Sequence, residues 1–423
     1  MATTTPSVAE TCLQAKAASR LLGRLDTATK DAALETMASA LGSRVDEILE
    51  ANARDMEAAS EANLGAAFLD KLNLTRDRVA GIAADVRTIA ALPDPVGETI
   101  EGHRLDNGLD VRKVRVPLGV VAVVYEARPN VTVDCSALCL RSGNAIVLRG
   151  SSAAAHSNAV LAQIVAEAVA EAGLPEGSVS LVSGGGRDEL RELATQAGVV
   201  DLIVPRGGEG LKAALEEVAT VPVLYAASGN CHVFVDASAK FDDAVAIAVN
   251  AKVQRPGVCN AAETLLVHSD AAGEFLPRAL AELRESGVEL RADGRARALA
   301  GDLADSLGEA TEDDFATEFL ALILAVKVVD SVEEAVEHVN RYGSGHSEAI
   351  VTDSTESAQA FTEGVDAACV YVNASTRFTD GGVFGMGAEI GNSTQKLHAR
   401  GPIGLRELCT YKYVIEGSGQ VRP

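Results

Sequence analysis

The chain has 423 residues, of which 47% are hydrophobic and 23% charged, and it carries a formal net charge of −23. That length exceeds one ordinary core and points to two or three globular domains. The negative surface repels nucleic-acid phosphates and anionic lipid, which excludes nucleic acid and membrane as partners. Seven dispersed cysteines in a chain this long describe reduced thiols, not a disulfide framework. Residues Met1 to Glu10 have no basic patch and no apolar run, and the longest apolar stretch, Leu320 to Val326, is too short to span a bilayer. A cytoplasmic protein is expected.

The first hundred residues are rich in Ala, Leu, Glu and Arg. Leu34, Met37, Ala38, Leu41, Val45, Ile48 and Leu49 recur at helical spacing. After the Pro93–Pro95 break, Leu105 to Pro117 alternates, with Val111, Val114 and Val116 spaced by Arg112, Lys113 and Arg115. This predicts a β-ribbon. From Gly119 the pattern turns to strand–helix–strand. Strands are expected at Gly119–Tyr125, Ala145–Leu148, Val179–Val182 and Asp201–Val204, with the longest helix at Ala153–Ala172, stopped by Gly173 and Pro175. A second set follows at Val233–Val235, Thr264–Val267, Phe319–Val326, Ala349–Val351 and Cys369–Val372. A last strand is expected at Cys409–Ile415. Alternation of this kind predicts an α/β fold with parallel sheets covered on both faces.

Cys259 lies in Gln254-Arg255-Pro256-Gly257-Val258-Cys259-Asn260, a loop that precedes an apolar strand. A thiol presented there is either a nucleophile or a small buried hydrophobe. Cys135 and Cys139, four apart in an apolar helix, read as core, as do Cys12, Cys231, Cys369 and Cys409; no metal site is expected. Asn130 closes Tyr125-Glu126-Ala127-Arg128-Pro129-Asn130 at the carboxyl end of a strand, where open parallel sheets collect ligands. Its amide suits an oxyanion donor or a helix N-cap. No GxGxxG is present. Gly184-Gly185-Gly186 and Gly207-Gly208-Glu209-Gly210 precede helices and either bind phosphate through N–H groups or make turns. Arg149, followed by Gly150-Ser151-Ser152, suits a phosphate monoester or a solvated strand end.

Seven stretches, in order along nearly the whole chain, resemble the γ-glutamyl phosphate reductases of the aldehyde dehydrogenase superfamily. They are Pro117–Val121, Tyr125–Thr132, Arg141–Asn144, Asn340–Glu348, Val372–Phe378, Gly387–Gly391 and Ser393–Pro402. The resemblance implies an aldehyde dehydrogenase-like fold with three parts. A Rossmann-like NADP-binding domain would take residues 1–101 and 119–228, an α/β catalytic domain 229–398, and an oligomerisation ribbon 102–118 and 399–423.

It also implies roles for particular residues. Cys259 would be the nucleophile, and Asn130 with the Cys259 N–H would form the oxyanion hole. Glu318 would hold the nicotinamide ribose, and Arg149 the adenosine ribose. Ser151 and Ser152 would sit where a 2′-phosphate fits, because Ser152 stands where NAD-preferring relatives carry glutamate. Arg206, Gly207 and Gly208 would lie against the pyrophosphate. For a substrate of this kind, Arg128 and Arg377 suit anion clamps, since Arg pairs bidentately, and Glu126 suits the ammonium; Lys396, His398 and Arg400 either line the same mouth or form a helix or ribbon face.

Hydrolytic aldehyde dehydrogenases place a glutamate in the segment matching Leu224–Asn230, and here that segment has no acid. Without a positioned base, water attacks a thioester slowly. The resemblance therefore implies NADPH-dependent reduction of L-glutamyl 5-phosphate to glutamate 5-semialdehyde in proline biosynthesis. It further implies a homo-oligomer (dimer or tetramer) functionally coupled to glutamate 5-kinase.

Overall fold

The structure, a computed structural model, describes residues 6–182, 186–225 and 229–422. Ser183–Gly185 and Ala226–Ser228 lie outside the described residues, and with them the Gly184-Gly185 cluster and the heart of the acid-free segment. The chain divides into two compact units. One comprises Met1–Tyr225, Gly385–Gly391 and Ile403–Pro423; the other comprises Ala226–Phe384 and Asn392–Pro402.

In the first unit, five helices precede the strands: Val8–Leu22, Thr27–Ser43, Val45–Glu61, Ala66–Leu72 and Arg76–Ala91. The periodic segment around Leu34 to Leu49 is broken into two helices at Arg44, which ends one and starts the next. Strands β1 (Thr99–Arg104) and β2 (Asp110–Pro117) form an antiparallel ribbon, and the last strand, β16 (Cys409–Glu416), pairs along β2 from Cys409 opposite Pro117 to Glu416 opposite Asp110. The parallel sheet is built from β3 (Val120–Tyr125), β4 (Ala145–Arg149), β5 (Val179–Leu181) and β6 (Leu202–Arg206), in the order β5-β4-β3-β6. All six residues of β3 are buried, so this Val-rich run sits at the sheet's centre with both faces covered. Each of its buried valines contributes about 1.5–3 kcal/mol through burial.

The entry to β3 is fixed by Asp201. Its carboxylate accepts the Val120 N–H at 2.8 Å and pairs with Lys16 at 2.7 Å. Gly119, at φ +129°, would place a Cβ 2.2 Å from that carboxylate, so only glycine passes there.

In the second unit, seven parallel strands run in the order β10-β9-β11-β8-β7-β12-β13: β7 Cys231–Val235, β8 Ala262–His268, β9 Glu289–Ala292, β10 Gly308–Glu309, β11 Ile323–Val329, β12 Ser347–Val351 and β13 Cys369–Val372. Side chains alternate between two cores with period two. Val233, Val235, Leu265 and Val267 pack with Ala248, Phe275 and Leu276 on one face. Phe234, Leu266 and Ile350 pack with Val339 and Phe361 on the other. The short pair β14 (Asn392–Ser393) and β15 (Gly401–Pro402) is antiparallel.

The strand expected at Phe319–Val326 begins at Ile323 instead. Leu320 has φ +54°, a left-handed turn that no strand accommodates, and Phe319–Leu322 is loop. Strands β1, β9 and β10 were not predicted; all six residues of β1 are exposed and so show no burial pattern. No helix among the described residues is long and apolar enough to cross a membrane.

Candidate functional site

In the second unit, Cys259 is exposed while the six other cysteines are buried. Its loop is fixed from below. Asn260 donates through Nδ2 to the Thr379 carbonyl at 2.8 Å, and the Asn260 carbonyl accepts from Thr376 Oγ1 at 2.7 Å. The Cys231 thiol donates to the Cys259 carbonyl at 3.2 Å. Gly229 lies so close that a Cβ there would stand 1.6 Å from that carbonyl oxygen, so no side chain fits. The backbone of Cys259 is thus held on several sides while the residue stays exposed, an arrangement suited to a nucleophile and not to a packed core thiol.

Gly229 links this loop to Glu318, whose Oε1 accepts the Gly229 N–H at 2.7 Å. Just below lie Lys252 and Glu263, both fully buried and ion-paired. Glu263 also accepts the Leu320 N–H at 3.4 Å through its other oxygen. Burial pushes Glu263 up to about 7, against the pull of Lys252, and pushes Lys252 down. Desolvation therefore works against the charges that the pairing favours. Arg377, half-buried in the turn Thr376–Phe378, donates to Gln254 Oε1 at 2.8 Å. Burial and the neighbouring Arg255 lower its affinity for a proton, and interaction with Cys259 opposes them. A guanidinium in the neighbourhood of the thiol suits an anionic substrate group.

Lys396 and Arg400, expected at a substrate mouth, are both committed to Asp366. The Asn340–Glu348 motif builds the core of this unit. His232 Nδ1 lies 3.0 Å from Glu348, and burial drives Glu348 well up and His232 down to about 3, so desolvation works against the charged form of each.

In the first unit, the carboxyl ends of β3, β4 and β6 bring Glu126, Arg149 and Arg206 to one edge of the parallel sheet, where ligands of such sheets bind. The Glu126 carboxylate accepts the Gly208 N–H at 3.2 Å and lies against Gly207, so it braces the turn that opens helix Glu209–Val218. That helix has no side-chain cap from its own N-cap residue, and the Glu126 carboxylate stands at its N-terminus. Arg128 is exposed on the turn after β3. Arg206 lies against Gly391, 3.0 Å from where a Cβ would stand. Arg149 is held by Glu189 at 3.7 Å and by the Gly186 carbonyl at 3.2 Å. Ser151 caps the turn Ser152–Ala154 through the Ala153 N–H, and Ser152 is exposed.

Asn130 is the first residue of helix Asn130–Arg141 but does not cap it; its amide donates to Asp134 at 2.9 Å instead. Burial pushes Asp134 up to about 7; Asn130 opposes the rise, Asp85 adds to it and Arg206 opposes it.

The aldehyde dehydrogenase family profile matches residues 1–295 and 311–414. The chain belongs to the aldehyde dehydrogenase family. Within that family it is 52% identical over 409 residues to the γ-glutamyl phosphate reductase of Thermoanaerobacter pseudethanolicus, covering 97% of this chain and 98% of that one. It is also 52% identical to the γ-glutamyl phosphate reductase of Thermobifida fusca, with 97% of each chain covered. The crystal structure of γ-glutamyl phosphate reductase from Thermotoga maritima superimposes with a TM-score of 0.96 at 46% identity, over 99% of this chain and 100% of that one. An acetylating aldehyde dehydrogenase from Geobacillus thermoglucosidasius, at 21% identity and a TM-score of 0.69, shares the fold. Aldehyde dehydrogenase membership makes the chain an oxidoreductase acting on an aldehyde or acyl phosphate and implies a nicotinamide cofactor.

Sequence patterns did not reveal Glu263, Lys252 or Asp134. Two of them carried a signal: Glu263 interrupts the apolar run Ala261–Val267, and Lys252 stands in the apolar helix Phe241–Val253. A lone charge inside a buried element has a partner.

Proposed function

We propose that the chain reduces L-glutamyl 5-phosphate to L-glutamate 5-semialdehyde and phosphate with NADPH, the second step of proline biosynthesis from glutamate. The observation that carries this reading is an exposed Cys259 on a fixed loop in a chain 52% identical to named γ-glutamyl phosphate reductases. The Cys259 sulfur attacks the acyl carbon, phosphate leaves, and a thioester forms. Asn130 and the Cys259 N–H stabilise the oxyanion of each tetrahedral stage. Phosphate leaves readily, so no strong general acid is required. A bound nicotinamide would supply the hydride to the thioester carbon; Cys259 is then the leaving group as the resulting thiohemiacetal collapses to the aldehyde. The acid-free segment Leu224–Asn230 supports a thioester that outlives attack by water.

The Gly207-Gly208 turn would take a pyrophosphate once Glu126 releases the Gly208 N–H, and Glu318 fits a ribose. Arg149, half-buried Ser151 and exposed Ser152 fit a 2′-phosphate, with Glu189 partly offsetting the Arg149 charge. On this reading residues 1–101 and 119–228 hold NADP, 229–398 carry catalysis, and 102–118 with 399–423 form the oligomerisation ribbon of a cytoplasmic dimer or tetramer coupled to glutamate 5-kinase. Arg128 and Arg377 then hold substrate anions, and Glu126 serves the Gly207-Gly208 turn as well as the ammonium.

The acyl phosphate is unstable, so the test runs in reverse: pyrroline-5-carboxylate and NADP, with and without inorganic phosphate, followed by NADPH absorbance. Phosphate-dependent reduction is expected. Equal reduction without phosphate would establish a hydrolytic aldehyde dehydrogenase instead, and no reduction in either case would refute the substrate. Placing a carboxylate beside the 2′-phosphate, by Ser152→Glu, is expected to raise KM for NADP about tenfold, about 1.4 kcal/mol, with little change for NAD. Parallel titrations of both cofactors check this, and equal effects on both would move the 2′-phosphate site elsewhere.

A further inference from the structure

We propose that Asp134 is a positioning residue that fixes the Asn130 amide with its nitrogen as the only group offered to the reacting oxygen. The inference rests on the oxyanion role given to Asn130 above. The two residues stand at i and i+4 on helix Asn130–Arg141, one turn apart on the same face. Asn130 Nδ2 lies 2.9 Å from Asp134 Oδ2.

An asparagine amide has two ends of almost equal size, one donating and one accepting, and it can turn over about its terminal torsion. Turned the wrong way, Asn130 would present an oxygen to a developing oxyanion and repel it. A carboxylate accepts and never donates, so it binds only the NH2 end. One N–H is used on Asp134 and the second stays on the same nitrogen, free for a ligand. The amide is not spent elsewhere, because Asn130 makes no cap at its own helix start.

Protonation supplies a second line of support. Asp134 Oδ1 is closed to solvent and without a hydrogen-bond partner among the described residues. Burial is the main influence that pushes this carboxyl up to about 7, with Asp85 from helix Arg76–Ala91 adding to the rise and Arg206 at the end of β6 opposing it. The Cys135 thiol, next in sequence, also interacts with it. Above about pH 7 the group is an obligate acceptor. Below it a proton makes the carboxyl a donor as well, which binds either end of the amide, and the orientation is lost.

The test is steady-state kinetics of the full chain in the phosphorylating direction with Asn130→Ala, Asp134→Ala, Asp134→Asn and the double alanine variant. Removing an oxyanion donor lowers kcat about 100-fold or more, which sets the scale for Asn130→Ala. Asp134→Ala is expected to lower kcat about tenfold or more, with KM for the aldehyde and NADP within about threefold, because only transition-state stabilisation is lost. The double variant should fall no further than Asn130→Ala alone.

Asp134→Asn carries a donor and an acceptor at every pH, as the protonated carboxyl does. It should hold kcat at one lowered value from about pH 6 to pH 8, the value that the wild type approaches only below pH 7. Wild-type kcat in Asp134→Ala, or losses that add in full, would overturn the proposal while leaving Asn130 its role. An unaffected Asn130→Ala would overturn the oxyanion reading and this inference together. Should Asp134→Ala fail to fold, the Asp134→Asn profile decides, since one parallel to wild type below pH 7 refutes the positioning role.

Discussion

Cys259→Ala is expected to lower turnover by a factor on the order of 10⁴ or more while leaving NADPH affinity within about twofold. The thiol is exposed, so its removal opens no cavity, and stability should change by no more than about 0.5 kcal/mol. The loop contacts given above involve backbone or other side chains. The Cys259 carbonyl still receives the Cys231 thiol, Asn260 still bonds Thr379 and Thr376, and Gly229 still presents its N–H to Glu318. Loss of activity would therefore report the missing sulfur and not a collapsed loop. Steady-state rates, NADPH fluorescence titration and thermal melting on the same preparation check all three expectations. Brief alkylation of the native protein should label Cys259 before any other cysteine, because the remaining six are buried. Residual turnover within tenfold of wild type would remove Cys259 as the nucleophile and with it the thioester route.

The sequence was most legible where local pattern and global environment agree. Val120–Tyr125 is an unbroken apolar run, and it is the strand buried on all six positions. The Phe234, Leu266 and Ile350 positions follow from period two within their strands, and their helices from period 3.6. Pro256, Gly257 and the following strand were enough to place Cys259 on a loop. What the pattern hides is pairing at long range. Nothing in residues 385–391 marks them as belonging with the N-terminal unit, because their partners lie hundreds of residues away, whereas the expected grouping of the last strand with the ribbon near 102–118 is found as β16 paired along β2. The Phe319–Leu322 segment looks like strand by composition, and only the left-handed turn at Leu320 shows otherwise. Asn130 was placed correctly at a strand's carboxyl end, but two side-chain roles compete for it in sequence, and only coordinates show the amide turned to Asp134 instead of the helix start.

The pair Lys252–Glu263 gives the second large effect, this time on stability. Both side chains are fully buried, and each exists as a charge only because the other does. Glu263→Leu should destabilise the protein by about 3–5 kcal/mol, because it leaves an ammonium buried without a counter-charge. Lys252→Met should cost a comparable amount for the opposite reason. The double variant Lys252→Met/Glu263→Leu removes both charges together and should recover most of the loss, to within about 1–2 kcal/mol of wild type. Urea unfolding of the four proteins measures this, and simple addition of the two single losses would show that the two residues do not act as a pair.

A functional readout separates from that cycle. Glu263 also accepts the Leu320 N–H, the neighbour of the Glu318–Phe319 turn, and leucine has no acceptor. The double variant, though stable, should therefore keep a raised KM for NADPH, whereas Lys252→Met with Glu263→Gln keeps an acceptor for Leu320 and should regain it. If both double variants bind NADPH alike, the buried carboxyl serves stability alone and the Glu318 loop is held by Gly229 without it.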